Sequence, residues 1–348
     1  MSELVDIKSL SIENFKNWLI ENNYETYRAE QIFKWLFIRK VNNFSMMTDI
    51  SKALRLQLSN NFSINRLKKI KQVESNDGSI KFLFSLSDDN LIESVLIPEK
   101  NHYTLCISTQ LGCSLGCRFC LTGKIGLIRN LSPQEIISQI LDIISEFELS
   151  KDSSKKITNI VFMGMGEPLL NYSNTIQALD IITNSNYGMG LSARKITIST
   201  AGIVPRIYDL AFDSKIKLAI SLNASNNKTR NYLMPVNRKY PIEILLKACK
   251  DFPLPRGKRI TFEYILIKGI NDSDTDAYEL SQILRGIKSK INLIPFNEHS
   301  KSEFKRSDDS QILNFQKILI NNNYTAIIRN SKGRDIMAAC GQLGAKKM

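Results

Sequence analysis

Histidine is almost missing from this chain: His102 and His299 are the only two in 348 residues. A centre built on several imidazoles is thereby excluded, and histidine acid–base chemistry has few candidates. Long apolar runs are lacking too, and no stretch approaches the roughly 18 residues that a membrane span needs. The opening MSELVDIKSLSIENFKNW mixes acids with bases and lacks the basic start and apolar centre of a secretion signal. No internal repeat or low-complexity tract is evident. The expectation is a soluble, cytoplasmic protein with no membrane association. Its 43% hydrophobic and 23% charged residues are an ordinary globular mixture, and its length fits about two domains.

Negative charge is the scarcer sign. There are 34 acidic against 47 basic residues, a net charge of +13. Such a surplus favours polyanionic partners, nucleic acid first, although a chain rich in Lys, Asn and Ile can reach it through composition alone. Cysteine is also sparse, at six residues, but Cys106, Cys113, Cys117 and Cys120 fall within 15 positions. Without an export signal, clustering of this kind reads as metal or redox chemistry rather than structural disulfides. Cys113-Ser-Leu-Gly-Cys117-Arg-Phe-Cys120 can wrap one metal centre from a single loop. Thiolate is the soft ligand of zinc and of iron–sulfur clusters. Structural zinc needs a fourth ligand, and no neighbouring His or second CxxC offers one. A cubane cluster can leave one iron without a protein ligand.

Residues 1–65 read as helical, with Ile12, Phe15, Trp18 and Leu19, then Ile32, Phe33, Trp35, Leu36 and Phe37, at helical spacing. Residues 66–100 read as a basic linker (Arg66, Lys68, Lys69, Lys71) followed by a hairpin of 81–86 and 91–97 about the turn Ser87–Asn90. Residues 101–348 alternate strand, loop and helix, with strand candidates at 104–109, 157–163, 195–200, 216–222, 259–267 and 291–296 and a late one at 324–329. Ser132, Pro133 and Glu135 mark a helix start between the first two. The fold class is therefore α/β. It is a partial, TIM-like β/α barrel with an N-terminal helical accessory domain and a small β-hairpin, and an open Rossmann-like sheet is the competing arrangement. In either, function gathers at the C-terminal ends of strands. The cysteine loop, GMGEP (164–168), STAG (199–202), SLNAS (221–225) and Pro295–Asn297 all fall there.

CxxxCxxC after the first strand of such a barrel resembles the signature of radical S-adenosylmethionine (SAM) enzymes. In that superfamily the open iron is chelated by SAM, and an electron splits SAM into methionine and a 5′-deoxyadenosyl radical. Longer segments are similar to the RlmN-type adenine-C2 RNA methyltransferases: YRAEQIFKWLF (27–37), LCISTQLGCSLGCRFCLTGKIGLIRNLSPQEI (105–136), FMGMGEPLLN (162–171), KITISTAGIVP (195–205), RNYLMPVNRKYP (230–241) and ACGQLG (339–344). The likeness runs from about residue 10 to residue 344.

The resemblance implies a 4Fe-4S cluster on Cys113, Cys117 and Cys120. It implies two SAM per turnover, one as methyl donor and one as radical source. Gly166, Glu167, Ser199, Ser221, Leu222, Asn223 and Asn297 match SAM-binding positions, with Asn223 standing where the family usually has His. Taken alone, Cys340 reads as a small buried hydrophobe, Cys106 as strand core and Glu93 as a solvated strand glutamate. The resemblance makes Cys340 the methyl-carrying residue, Cys106 its partner in a transient disulfide, and Glu93 a base. The implied partners are large-subunit ribosomal RNA near the peptidyl-transferase centre, transfer RNA beside the anticodon, and an electron donor such as flavodoxin or ferredoxin. A monomer is expected. A related adenine-C8 methyltransferase is the nearest rival, but GMGEPLLN and IPEKNHYTLC look more like the C2 type. A zinc-dependent RNA-binding module without catalysis is the rival from another class, and a radical SAM activase a third.

Overall fold

The computed structural model describes residues 4–149, 156–299 and 302–344. Strand β1 (Val5–Asp6) precedes helices α1 (Ile12–Glu21), α2 (Arg28–Phe37) and α3 (Lys52–Asn61), and β2 (Phe62–Ser63) returns to pair in parallel with β1. Ser11 and Ser51 cap α1 and α3 by accepting from the amides of Asn14 and Leu54. The apolar faces meet in an aromatic cluster, with Phe15 stacked on Phe33 at 5.6 Å and Trp18 edge-on to Phe62 at 4.9 Å.

Residues 68–98 form β3 (Lys68–Glu74), β4 (Ile80–Ser85) and β5 (Leu91–Pro98), each antiparallel to the next. The basic run is therefore a third strand rather than a linker. It was hidden because lysines crowd an exposed sheet edge, where they discourage pairing with another chain. Arg66 is not a free surface cation either. It is ion-paired to Asp142 at 2.5 Å and donates to the Lys40 carbonyl, which docks the helical unit onto the barrel.

β5 pairs antiparallel with β6 (Tyr103–Ile107). A separate hairpin follows, β7 (Gln110–Cys113) with β8 (Gly126–Asn130), enclosing the short helix α4 (Leu121–Ile125). Then come α5 (Pro133–Leu149), β9 (Ile157–Phe162), α6 (Tyr172–Thr183), β10 (Ile196–Thr200), α7 (Val204–Asp213), β11 (Lys217–Ser221) and α8 (Asn227–Leu233). The chain continues with α9 (Ile242–Asp251), β12 (Ile260–Leu266), α10 (Asp274–Ile283), β13 (Ser289–Pro295), α11 (Asp309–Asn321) and β14 (Ala326–Ile328). At the start of α5 the Glu135 carboxylate accepts from the Ser132 amide at 2.8 Å, as the sequence predicted.

β6, β9, β10, β11, β12, β13 and β14 are parallel neighbours in strict chain order. A doubly wound sheet would reverse its order at a switch point, so the Rossmann-like alternative is excluded. The sheet has two edges, β3 and β14, so the barrel is open and hence partial. Its inner strands are rich in buried apolar side chains, among them Ile196 and Ile198, Leu218, Ala219 and Ile220, and Phe262 and Tyr264, as strands covered by helices must be. Among the described residues, no helix is long and apolar enough to cross a membrane.

Candidate active site

The cysteine loop leaves β7 at Cys113. Gly112, at φ +72°, lies so close to the facing strand that a Cβ there would sit 1.7 Å from the Gly126 carbonyl oxygen, so only glycine fits. A tight turn brings the Cys120 amide to the Cys117 carbonyl at 3.1 Å. The loop is fixed to α8: the Arg118 amide donates to the Leu233 carbonyl at 3.0 Å, and its guanidinium lies over the Tyr232 ring at 4.2 Å. Burial pushes the Cys113 thiol up to about 12 and the Cys117 thiol well above its ordinary value, so both are neutral thiols until a metal displaces their protons. Among the described residues, no three His, Cys, Asp or Glu side chains converge on one ion, as tetrahedral zinc would require. A cubane cluster instead offers each thiolate its own iron, and the three spaced thiols fit it.

These cysteines form one wall of a cavity with about 880 Å³ of space, part of it open to solvent. The opposite wall is built from the C-terminal ends of β9 to β13, so the curving sheet brings motifs over a hundred residues apart into one chamber. Gly166 (φ +97°) passes so close to Gln110 that a Cβ would be 2.4 Å from the Gln110 Cβ. The Gly166→Ala variant is therefore expected to lose SAM binding and to melt lower, readable by equilibrium dialysis and thermal denaturation.

Glu167 is buried in the same wall. Its carboxylate accepts from the Leu169 amide at 3.0 Å and the Ala201 amide at 2.8 Å. Desolvation outweighs these bonds and lifts its pKa to about 7. Only the ionised form can pair with a cation, so the affinity of this wall for an ammonium-bearing ligand should weaken as pH falls through about 7. Without ligand the sign is opposite. Between the unfolded value of about 4.3 and the native value, the folded chain holds a proton the unfolded chain has lost, so stability declines as pH rises across that window.

Ser199 and Ser221 face the cavity with hydroxyls 3.4 Å apart. Asn223 adopts a left-handed backbone (φ +57°), which asparagine tolerates better than most residues. Its Oδ1 accepts from the Ile265 amide at 2.9 Å, and its Nδ2 points at the Met234 sulfur at 3.3 Å. Leu222 contributes no side chain to the cavity: it is fully buried, and its amide donates to the Glu263 carbonyl. Asn297 also lies outside the lining and instead donates to the Cys340 carbonyl at 3.1 Å.

Sequence reasoning passed over three residues. Glu263, on β12, is buried in the cavity wall and accepts from Ser199 Oγ at 2.8 Å. Gln110 orients the Gly166–Glu167 turn by accepting from the Glu167 amide at 2.8 Å. Arg230 is fully buried beneath the strand ends. Gln110 and Arg230 stood within quoted motifs and Glu263 inside a strand, but nothing local marks any of them as functional.

Cys340 is solvent-accessible at the far side, where the chamber meets a second cavity that Cys106 and Arg329 also line. Burial raises the thiol pKa of Cys106, and the nearby Cys340 adds to the rise. The segment carrying Cys340 is tied on several sides. The Leu121 amide, next to Cys120, donates to Gly341 O at 2.8 Å, Thr122 Oγ1 to Leu343 O at 2.6 Å, and Gln342 Nε2 to Glu298 O at 2.9 Å. Glu93 is buried behind it, paired with Lys81 at 3.1 Å and accepting from the Gly344 amide at 2.7 Å. Glu93 lines neither cavity.

A parallel-rich open barrel whose cysteine loop faces strand-end turns defines a radical SAM enzyme. Residues 107–280 match the radical SAM superfamily, and residues 5–64 match the ribosomal RNA large subunit methyltransferase N-terminal domain. A dual-specificity RNA methyltransferase RlmN of Desulfosudis oleivorans is 51% identical over 98% of this chain and 91% of its own length. Its counterpart in Syntrophus aciditrophicus is 50% identical over 99% and 97%. The crystal structure of a radical SAM methyltransferase from Sphaerobacter thermophilus superposes with a TM-score of 0.90 at 40% identity, covering 97% of this chain and 99% of that one. The chain belongs to the RlmN family of radical SAM RNA methyltransferases, which use a 4Fe-4S cluster and SAM.

Proposed function

We propose that the enzyme methylates C2 of adenine in large-subunit ribosomal RNA near the peptidyl-transferase centre and in transfer RNA beside the anticodon, through a methyl group carried on Cys340. The observation that carries this reading is the position of Cys340, an accessible thiol on the wall shared by the chamber and the second cavity, with Cys106 facing the latter. Adenine C2 is electrophilic and cannot attack a sulfonium itself, so a protein nucleophile must first take the methyl group.

In this reading Cys113, Cys117 and Cys120 hold the cluster, which when bound supplies the electron that cleaves SAM. Gly166 gives the backbone room for the ligand, and Glu167 accepts from its ammonium. Ser199 and Ser221 offer hydroxyls to its polar groups, while Asn223 and Asn297 fix the walls. Cys340 then carries the methyl group, which gives one hydrogen atom to the 5′-deoxyadenosyl radical before its carbon joins adenine C2. As Cys106 attacks the Cys340 sulfur the S–S bond forms and the sulfur–carbon bond breaks, its electron pair staying with the carbon, which takes up a proton. C2 gives up its proton and the cluster would take back the odd electron, leaving a disulfide for later reduction. Glu93 holds the Cys340 segment through Gly344 and Lys81. Glu93→Gln should lower turnover by roughly tenfold or more with iron content unchanged, as measured by single-turnover kinetics and iron analysis.

The surplus of +13 charges supports RNA binding by phosphate neutralisation, which is salt-dependent and blind to sequence. The electron donor is of the flavodoxin or ferredoxin class, and the enzyme works as a cytoplasmic monomer. The experiment is methylation of both RNA classes by the loaded enzyme, followed by nucleoside mass spectrometry against authentic 2-methyladenosine and 8-methyladenosine. 2-Methyladenosine in both supports the reading; 8-methyladenosine would replace it with the C8 activity.

A further inference from the structure

The chain from Arg329 to Gly344 runs without helix or strand, and it carries Cys340. Its polar backbone groups must therefore find partners elsewhere. Barrel groups hold residues 340–343, through Leu121, Thr122, Asn297 and Glu298. The part before Cys340 is held instead by the antiparallel strands β3 to β5, chiefly by the turn Ser75–Ser79 between β3 and β4. Asp77 Oδ2 accepts from the Gly333 amide at 2.7 Å, while its Oδ1 accepts from the Ser79 amide at 2.9 Å and closes the turn. In return the Asp335 carboxylate accepts from Ser75 Oγ at 2.6 Å and from the Asn76 amide at 3.1 Å. Each side thus sets a carboxylate on the other's backbone, and such charge-assisted bonds are roughly twice as strong as neutral ones. Lys332 Nζ donates to the Pro98 carbonyl at the end of β5, and Lys81 Nζ to the Met337 carbonyl at 3.2 Å. Asp77 and Asp335 are both exposed, and neither lines the chamber or the second cavity.

We propose that this turn is a clasp that sets the place of the Cys340 thiol, with Asp77 and Asp335 as positioning residues for the transfer of carbon from that thiol to adenine. Cys340 has to serve two spaces, the chamber and the second cavity that Cys106 faces. The clasp fixes residues 333–337 and the barrel fixes residues 340–343, so the thiol rides on a short span between two anchors. A loop held on the barrel side alone would let the thiol drift from one space or the other. Misplacement of a reacting group by about 1 Å can cost on the order of 10²-fold in rate. Both carboxylates touch only the loop and the turn, so they act on the transfer through Cys340 and leave the cysteine triad and the SAM-facing wall as they are.

The inference rests on Cys340 being the methyl carrier, and the two fail differently. RNA methylation that survives in Cys340→Ala defeats that reading, whatever the clasp does. The clasp is read first without any activity, as the rate at which iodoacetamide alkylates Cys340 in the full chain, located by peptide mass spectrometry. Asp77→Ala and Asp335→Ala should speed that alkylation severalfold. In loaded enzyme the same variants should bind SAM and form 5′-deoxyadenosine as wild type does, yet methylate RNA roughly tenfold or more slowly. The 5′-deoxyadenosine formed per adenine methylated should rise by the same factor. Asp335→Asn keeps the clasp: its amide oxygen can accept from the Asn76 amide while its Nδ2 donates to Ser75 Oγ, a hydroxyl that accepts as well as donates. It should stay near wild type in both measurements. Wild-type alkylation or wild-type turnover in Asp77→Ala and Asp335→Ala overturns the proposal. So does a fall in turnover with an unchanged ratio, which would mark lost stability alone, and so does an equal loss in Asp335→Asn, where the bonds persist. Should Asp335→Ala fail to fold, Ser75→Ala, which removes one donor to the same carboxylate, decides the question by the same two measurements.

Discussion

Cys340→Ala is expected to abolish RNA methylation, by roughly 10⁴-fold or more, as removal of a covalent nucleophile does. The loop that presents the thiol is held by main-chain and neighbouring groups: Leu121 to Gly341, Asn297 to the Cys340 carbonyl, Gln342 to Glu298 and Gly344 to Glu93. None of these bonds uses the sulfur. The variant should therefore fold with a stability within about 1 kcal/mol of wild type and load a normal cluster. It should still cleave SAM slowly in the absence of methyl transfer. Activity assays, iron analysis and thermal melting together separate this outcome from misfolding.

The second large effect is on the metal. Replacing Cys113, Cys117 and Cys120 together by alanine should remove the iron, the sulfide and the brown colour completely. The folded chain should survive, because the Cys113 and Cys117 thiols are neutral without metal and all three side chains are half-buried or buried, behaving as small apolar groups. What is lost is the stabilisation that cluster binding adds to the native state. Loading wild-type protein must displace protons from thiols whose pKa burial has raised, so iron uptake should rise with pH across the neutral range. Stoichiometric zinc with no iron–sulfur uptake would return the chain to the zinc-module reading.

Most of the barrel was legible because its signals are local. Apolar runs such as ITNIVF and KLAIS are short, β-branched and bounded by turns, and β9 and β11 fall where they were expected. The cysteine triad and the GMGEP turn were legible for a different reason: glycine and cysteine at fixed spacing have few uses besides close approach and metal ligation. Strand β3 was missed because its lysines obey the demands of an exposed edge rather than a strand's usual apolar alternation.

Long-range partnerships left no trace in the sequence. Glu93 meets Gly344 across 251 positions, and Lys81 meets Met337 across 256. No periodicity announces such pairs. Arg230 was invisible for the same reason, since a buried arginine and an exposed one look alike in sequence. Asn297 and Leu222 show the limit of motif transfer. Both occupy strand-end positions, but their side chains support the site from behind rather than face the chamber.

The central claim is that the transferred carbon rides on Cys340 and is activated by hydrogen abstraction. It is tested most directly with SAM bearing a fully deuterated methyl group, in a single turnover begun on enzyme first methylated with that donor. If the carbon loses one hydrogen on the protein before it joins adenine, the 2-methyladenosine formed must carry two deuteriums, and 5′-deoxyadenosine must gain one. A product that keeps all three deuteriums, with none in 5′-deoxyadenosine, would mean direct transfer from SAM and would contradict the account.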